Sequence, residues 1–249
     1  MSSFRVATYN VHRCVGLDRR RDAARIASVV HELRADILGL QEVDNRSDGI
    51  RESAQMDFLA QETGYGAVSG PTIKLSNGQY GNVLLTRWPV LESREIDLCF
   101  SCREPRGAIE AILDVRAHRV RVIVTHLGLA GEERRYQIGR LVNLVGRDIH
   151  PLTVLLGDVN EWFPMSWGLR QVHRILGKSP ALWSFPSRCP FLALDRIWVR
   201  PREAMEKIWV HATKVSRLAS DHLPVVAEIR ASEPRRPEPQ QEPVKTNEQ

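Results

Sequence analysis

Thr153-Val-Leu-Leu156 runs straight into Gly157-Asp158-Val-Asn160, and this junction constrains the fold more than any other stretch of the chain. The uncharged, β-branched and aliphatic run reads as a buried strand. A strand ending in Gly-Asp-x-Asn sets a carboxylate and a carboxamide side by side at its C-terminal edge. In α/β sheets such edges are where ligand crevices open. A carboxylate there can bind Mg²⁺ or take a proton from water. An amide can orient that water or hold a phosphoryl oxygen. The same tetrapeptide also makes a good turn, so the chemical reading needs support from elsewhere.

Three further segments share the pattern. Arg5-Val-Ala-Thr-Tyr-Asn10 is a short strand leading into Asn10, Val11 and His12. Asp36-Ile-Leu-Gly-Leu-Gln-Glu42 is a second apolar run that ends on an acid. Ser220-Asp221-His222 stands just before the strand-like Val225-Val-Ala-Glu-Ile229. Four strand ends carrying oxygen or imidazole donors are hard to explain by turn chemistry alone.

In chain order the pieces are Thr-Tyr-Asn10-Val-His, Leu-Gln-Glu42-Val, Gly-Asn82-Val-Leu-Leu-Thr-Arg, Thr-His126-Leu, Gly-Asp158-Val-Asn160, Leu-Asp195-Arg-Ile and Ser-Asp221-His222-Leu-Pro. This ordered set resembles the endonuclease/exonuclease/phosphatase superfamily and extends from about residue 4 to about residue 229. The resemblance is specific for the superfamily and much less so for substrate, since one scaffold carries many substrate classes.

The resemblance implies an α/β, four-layered sandwich of two mixed β-sheets flanked by helices, with the active-site loops gathered at one rim. It also implies a metal-dependent phosphoesterase, a phosphodiesterase before a monoesterase, using Mg²⁺ with Mn²⁺ as an alternative. Glu42 would be the first metal ligand, with Asn10 beside it and Asp221 as a further ligand or a tuning charge. Asp158 would orient or deprotonate the attacking water, and Asn160 would hold a phosphoryl oxygen. Asp195 would fix the tautomer of His222 and favour its protonated form. His126 would donate to the leaving group or bind phosphate. Asn82 and Arg106 match substrate-contacting positions. His12 departs from the pattern, since abasic-site endonucleases usually carry an acid there, and this weakens a DNA-repair assignment without touching the hydrolase one.

The net charge of +5, from 35 basic and 30 acidic residues, fits a phosphate-bearing partner without requiring one. Arg19-Arg20-Arg21, Arg116/Arg119/Arg121 and Arg134-Arg135 are the local concentrations. Each reads either as a solvated face or as steering for an anion. Arg134 and Arg135, in a loop expected to lead into a helix after His126, are the best placed to reach a bound phosphate. The substrate is expected to be nucleic acid or a phospholipid-type diester. The segment Glu161 to Ala193, with Trp162, Phe163, Trp167, Trp183, Phe185 and Phe191, can stack on bases, insert toward acyl chains, or simply pack.

Cys99 and Cys102 have a C-x-x-C spacing without the second pair that a zinc site needs. The Cys99-Phe-Ser-Cys102-Arg-Glu-Pro stretch resembles a small disulfide loop of secreted deoxyribonucleases, although a reducing compartment would keep it as thiols. The N-terminus lacks a signal-like pattern and no apolar stretch approaches the ~20 residues of a membrane span, so a cytoplasmic protein is expected. Residues 1–231 should form one catalytic domain. Residues 232–249, dominated by Pro, Glu, Gln, Arg and Lys, should be a disordered tail.

Expected helices run from an Asp18 cap to Leu33, with Ile26, Val29, Val30 and Leu33 inward. Others span Glu52–Thr63, with Met56, Leu59 and Ala60 inward, Glu132–Arg147 and Trp167–Leu176. Expected strands between Gly81 and His126 are Asn82–Thr86, Ala108–Val115 and Val120–His126, with two or three more closing the chain.

Overall fold

The computed structural model describes residues 3–147 and 150–230. The charged tail expected over 232–249 lies outside the described residues. Among them, the strands are β1 (Ser3–Asn10), β2 (Ile37–Arg46), β3 (Gly66–Leu75), β4 (Gly78–Thr86), β5 (Val90–Asp97), β6 (Gly107–Val115), β7 (His118–His126), β8 (Leu152–Asp158), β9 (Asp195–Arg200), β10 (Met205–Val210) and β11 (Val225–Arg230). The helices are α1 (Ala23–Leu33), α2 (Gln55–Thr63), α3 (Gly131–Arg147), α4 (Trp167–Leu176) and α5 (Lys214–Ala219).

The strands form two mixed sheets, ordered β10-β11-β1-β2-β4-β3 and β5-β6-β7-β8-β9. Among the described strands only β1–β2 and β7–β8 pair in parallel. Alternation along the strands assigns the layers. Val6, Ile37 and Ala227 of the first sheet meet Val122, Val124, Val154 and Leu156 of the second in a central core. The opposite faces are covered by helices. Ala7, Leu38 and Val226 pack with Ile26, Val30 and Leu59 of α1 and α2, and Ile123, Leu155 and Trp198 pack with Leu141, Val145 and Val172 of α3 and α4. Strands covered on both faces explain the uninterrupted apolar runs in the sequence. The result is the expected four-layered α/β sandwich.

Gly39 lies where the two sheets approach closely: a Cβ there would meet Leu156 Cδ1 at 2.2 Å and Val124 Cγ1 at 2.8 Å. Gly39→Ala is therefore expected to destabilise the fold by about 1–3 kcal/mol through overpacking. A urea midpoint that does not move would show that the core yields there at no cost.

Several element boundaries differ from the sequence reading. The α1 cap is Asp22, which accepts from the Arg25 N–H at 2.8 Å, whereas Asp18 pairs with the Arg25 side chain at 2.9 Å. Helix α2 starts at Gln55 after a short 3-10 turn over Arg51–Ser53, and buries Phe58 with Leu59, while Met56 and Ala60 are only half-buried. Strand β2 continues past Glu42 to Arg46, and β3 and β5 lie at sheet edges where exposed residues break the apolar pattern. Arg134 and Arg135 sit inside the first turns of α3 rather than in a preceding loop. Arg121 is fully buried and pairs with Glu110, so it takes no part in surface steering. The three closing strands and α4 match their expected places.

Candidate active site

The topology brings the ends of several strands to one rim. Strands β1, β7 and β8 finish there on Asn10, His126 and Asp158, β9 begins there on Asp195, and His222 precedes β11. Within the second sheet His126 pairs with Asp158 and Asp158 with Asp195. Asn10 joins the two sheets, because its Nδ2 donates to Asp158 Oδ2 at 3.1 Å and to Glu42 Oε1 at 3.0 Å.

Each of these positions has a local cause. The β2–β4 register shifts between Leu40 and Val43, so Gln41 and Glu42 together face Asn82. Glu42 sits at φ 60°. This is a β-bulge, and its effect is to turn an acid out of the ladder toward the rim. Gly157 has a comparable necessity, since a Cβ there would stand 1.9 Å from the Thr125 carbonyl oxygen of the neighbouring strand. The glycine of Gly-Asp-x-Asn is what lets β8 deliver Asp158 beside β7. Asn160 then turns back at φ 50°, and its backbone N–H donates to Asp158 Oδ1 at 3.0 Å. Ser220 donates from Oγ to the Asn10 carbonyl oxygen at 2.7 Å, tying the β11 approach to the end of β1.

The two histidines occupy opposed electrostatic settings. His222 is buried, its Nδ1 lies 2.8 Å from Asp195 Oδ2 and its Nε2 lies 3.7 Å from Asp158 Oδ2. Burial opposes its charge most strongly, but the combined fields of Asp195, Asp158 and Asp221, with the Asp195 hydrogen bond, push the imidazole up to about 10. His126 is equally buried, with Nε2 3.5 Å from Asp158 Oδ2. Burial pushes it down to about 4, with Asp158 opposing and Arg106 and His222 adding to the drop. Asn160 Nδ2 donates toward His126 Nε2 at 3.2 Å and to the Leu127 carbonyl at 2.9 Å, which suits a neutral ring accepting at Nε2.

The sign for stability follows. His126 binds its proton less readily folded than unfolded, so the stability it contributes above pH 6.5 is lost as pH falls toward 4, on the order of 2 kcal/mol by pH 5. His222 acts in the other direction, stabilising below 6.5 and losing that contribution as pH rises toward 10. Urea unfolding in EDTA at pH 7.5 and pH 5 is expected to show His126→Gln losing less stability on acidification than the unaltered chain. Equal losses in both proteins would contradict a depressed His126.

Among the described residues, Asp158, Asp195 and His222 offer ligand atoms within 4.8 Å of one another, close enough to hold a cation. As they stand, Asp195 and Asp158 hold the His222 imidazole between them. Asp195 Oδ2 already takes the imidazole and the Ser184 hydroxyl at 2.6 Å, and a protonated His222 repels a second cation. The Glu42 side, with the Asn10 amide and a half-buried Asp221, provides the hard oxygen donors that Mg²⁺ prefers. Among the described residues Glu42 makes no ion pair, so a divalent cation fits the charge left there.

The remaining sequence candidates are spread around this centre. Asn82 is buried, donates from Nδ2 to the Gly107 carbonyl at 3.0 Å, and has an Oδ1 with no partner among the described residues. Arg106 is buried, pairs with Glu104 at 2.9 Å and also leaves Nε without a partner there. Arg134 is drawn away: its Nε lies 3.3 Å from Glu161 and its Nη1 donates to the Leu129 carbonyl. Asp221 lies 3.8 Å from His12 Nδ1 at the mouth. Ser184 escaped the sequence reading because it stands in a long connection without periodicity, and Phe185, read there as a stacking, inserting or packing aromatic, lies with its ring 4.8 Å from His222. Cys99, Cys102 and Cys189 are exposed free thiols, and Cys14 is a buried one.

Face-to-face mixed sheets with acids, amides and imidazoles gathered at a shared rim define a phosphoesterase-type sandwich. Residues 7–222 match the Endonuclease/Exonuclease/phosphatase family, and the chain belongs to it; it is accordingly a phosphoester hydrolase. The Escherichia coli K12 protein YbhP is 28% identical over 246 residues, covering 91% of this chain and 96% of that one. An endonuclease/exonuclease/phosphatase structure from Bacteroides vulgatus superposes with a TM-score of 0.76 at 19% identity, covering 93% of this chain and all of that one. The mannosyl-6-phosphatase of Bacteroides thetaiotaomicron superposes at 0.72 with 16% identity, covering 90% and 98%. At these identities the superpositions speak for the fold alone. No helix among the described residues is long and apolar enough to cross a membrane.

Proposed function

We propose that the protein is a Mg²⁺-dependent phosphodiesterase that cleaves a P–O bond by attack of water. The observation that carries this reading is the bridge by which Asn10 binds both Glu42 and Asp158, 3.0 and 3.1 Å away, joining a metal-suited acid to the acid beside the imidazoles. Glu42, Asn10 and Asp221 would hold the cation. When bound, it would neutralise charge on the phosphoryl and leaving oxygens.

The other steps belong to the chain. Asp158, fixed by the Asn160 N–H and by Asn10, would orient a water against phosphorus and take its proton as the new P–O bond forms. His222, protonated through Asp195, would set a fixed positive charge beside the oxygens that gain charge in the transition state. His126, pushed down to about 4 by burial, would be neutral near pH 7 until an anionic substrate binds beside it; its role toward the leaving group or the phosphate turns on that binding. Asn160 Nδ2 would turn one hydrogen from His126 to the same oxygens, and Asn82 Oδ1 and Arg106 Nε would take up substrate groups with the bonding capacity they retain. Arg134 would act at a distance, by holding Glu161 and the adjoining loop.

The test is hydrolysis of bis-p-nitrophenyl phosphate against p-nitrophenyl phosphate, with Mg²⁺, with Mn²⁺ and with EDTA. Metal-dependent turnover that favours the diester is the expected result. A preference for the monoester would make the protein a phosphatase. Silence of both compounds, and of a DNA, RNA and phospholipid panel, would leave only a phosphate-ligand-binding role.

A further inference from the structure

Burial should claim large aromatic side chains first, because each removes more apolar area from water than any aliphatic residue. In this chain the exceptions are concentrated. Every tryptophan and phenylalanine exposed among the described residues, namely Trp162, Phe163, Trp167, Trp183 and Phe191, lies between Glu161 and Asp195. Met165 in the same segment and Leu129, three residues beyond His126, are exposed by 64% and 74%.

Topology puts these side chains beside the active site. Leu129 follows the end of β7 and Trp162 follows the end of β8, while Trp183 and Phe191 precede β9, so all stand at the rim where those strands deliver His126, Asp158 and Asp195. Backbone bonds tie the loops to the centre: Val159 donates to the Leu194 carbonyl at 2.9 Å and Phe191 to the Phe185 carbonyl at 3.0 Å, with Phe185 against His222.

The charge of the segment is one-sided. Residues 162–194 contain no Asp or Glu, although the chain has 30 of them, and they carry Arg170 and Arg188 near the rim, with Arg174 and Lys178 toward the far end of α4, where the Lys178 carbonyl accepts from Arg202. Arg135 adds a guanidinium 5.8 Å from the Trp167 ring, beside an open cleft of about 280 Å³ that Phe163, Ser166 and Glu161 also line, the Glu161 charge being taken up by Arg134. Exposed Trp, Phe, Met and Leu tips beside Arg135, Arg170 and Arg188 match the composition of a surface that inserts shallowly into anionic lipid. Base stacking accounts less well for the set, because Leu129 and Met165 have no π-face. A second copy of the chain would bring the same cations against each other.

We propose that this rim is a membrane-docking surface, which seats on a bilayer containing anionic lipid and presents the active site to phosphodiesters held in that surface. The proposal rests on the phosphodiesterase reading for the chemistry and on the exposed rim for the location.

The test uses the full chain with sedimentable vesicles of phosphatidylcholine, with and without phosphatidylglycerol. The protein is expected to sediment with the mixed vesicles, with a blue shift in tryptophan emission, and to bind less as salt rises. Trp183→Ser with Phe191→Ser should lower partitioning by about tenfold or more, while hydrolysis of water-soluble bis-p-nitrophenyl phosphate stays unchanged and shows that the variant is folded. Arg170→Gln with Arg188→Gln should erase the preference for phosphatidylglycerol. Failure to bind mixed vesicles, or equal binding by the aromatic variant, overturns the proposal. So does single-stranded DNA capture through these side chains without vesicle binding, or a dimer by light scattering that the variant dissolves. Vesicle binding with no diester turnover would instead overturn the phosphodiesterase reading alone.

Discussion

Asp158→Ala is expected to lower turnover of bis-p-nitrophenyl phosphate by roughly 10³-fold or more, the scale on which a proton acceptor and the charge organising a site act together. Asp158 Oδ2 is the point on which Asn10, His126 and His222 converge, at 3.1, 3.5 and 3.7 Å. Its Oδ1 also holds the Asn160 N–H. Alanine removes all four interactions, so Asp158→Asn separates the roles: it keeps an oxygen for Asn160 and loses the charge. Both variants should be nearly inactive if proton acceptance dominates. An asparagine variant retaining more than a tenth of the turnover would move Asp158 from the chemistry to the scaffold.

Glu42→Gln is the second large effect, and its signature is different. The substitution keeps the shape at the bulge and removes one negative charge from the oxygen set shared with Asn10. Turnover at limiting Mg²⁺ should fall on the order of 10²-fold, and the Mg²⁺ concentration for half-maximal rate should rise at least about tenfold. A variant with reduced turnover and an unmoved Mg²⁺ midpoint would assign Glu42 a positioning role and direct attention to Asp158, Asp195 and His222 as the alternative cation cluster.

Much of the fold is legible in the sequence because burial repeats along it. Val154 and Leu156 face one core and Leu155 the other, so β8 is apolar at successive positions and announces a doubly covered strand. The face Ile26, Val29, Val30 and Leu33 announces α1 in the same way. Strands β3 and β5 escape because they are edges: exposed residues break their apolar pattern, and hydrogen bonding to β4 and β6 rather than any side-chain pattern makes them strands. The start of α1 escapes for a related reason. Asp18 and Asp22 are both competent caps; Asp22 takes the Arg25 N–H, while Asp18 takes the Arg20 N–H and the Arg25 guanidinium.

The site divides along the same line. By itself the sequence determined that Asn10, His126 and Asp158 end strands, because that requires only an apolar run and the residue that follows it, whereas Glu42 proved to sit at a bulge inside β2. It also fixed the glycine before Asp158 and the absence of acid from the aromatic segment. Only the tertiary structure decided what those groups do to one another. The bulge that turns Glu42 out depends on a register shift against β4, and the Asn10 bridge depends on two sheets stacking. Opposite shifts of His126 and His222 depend on which carboxylates burial leaves beside each ring. These are effects of distance across the fold, which residue order along a chain does not encode locally.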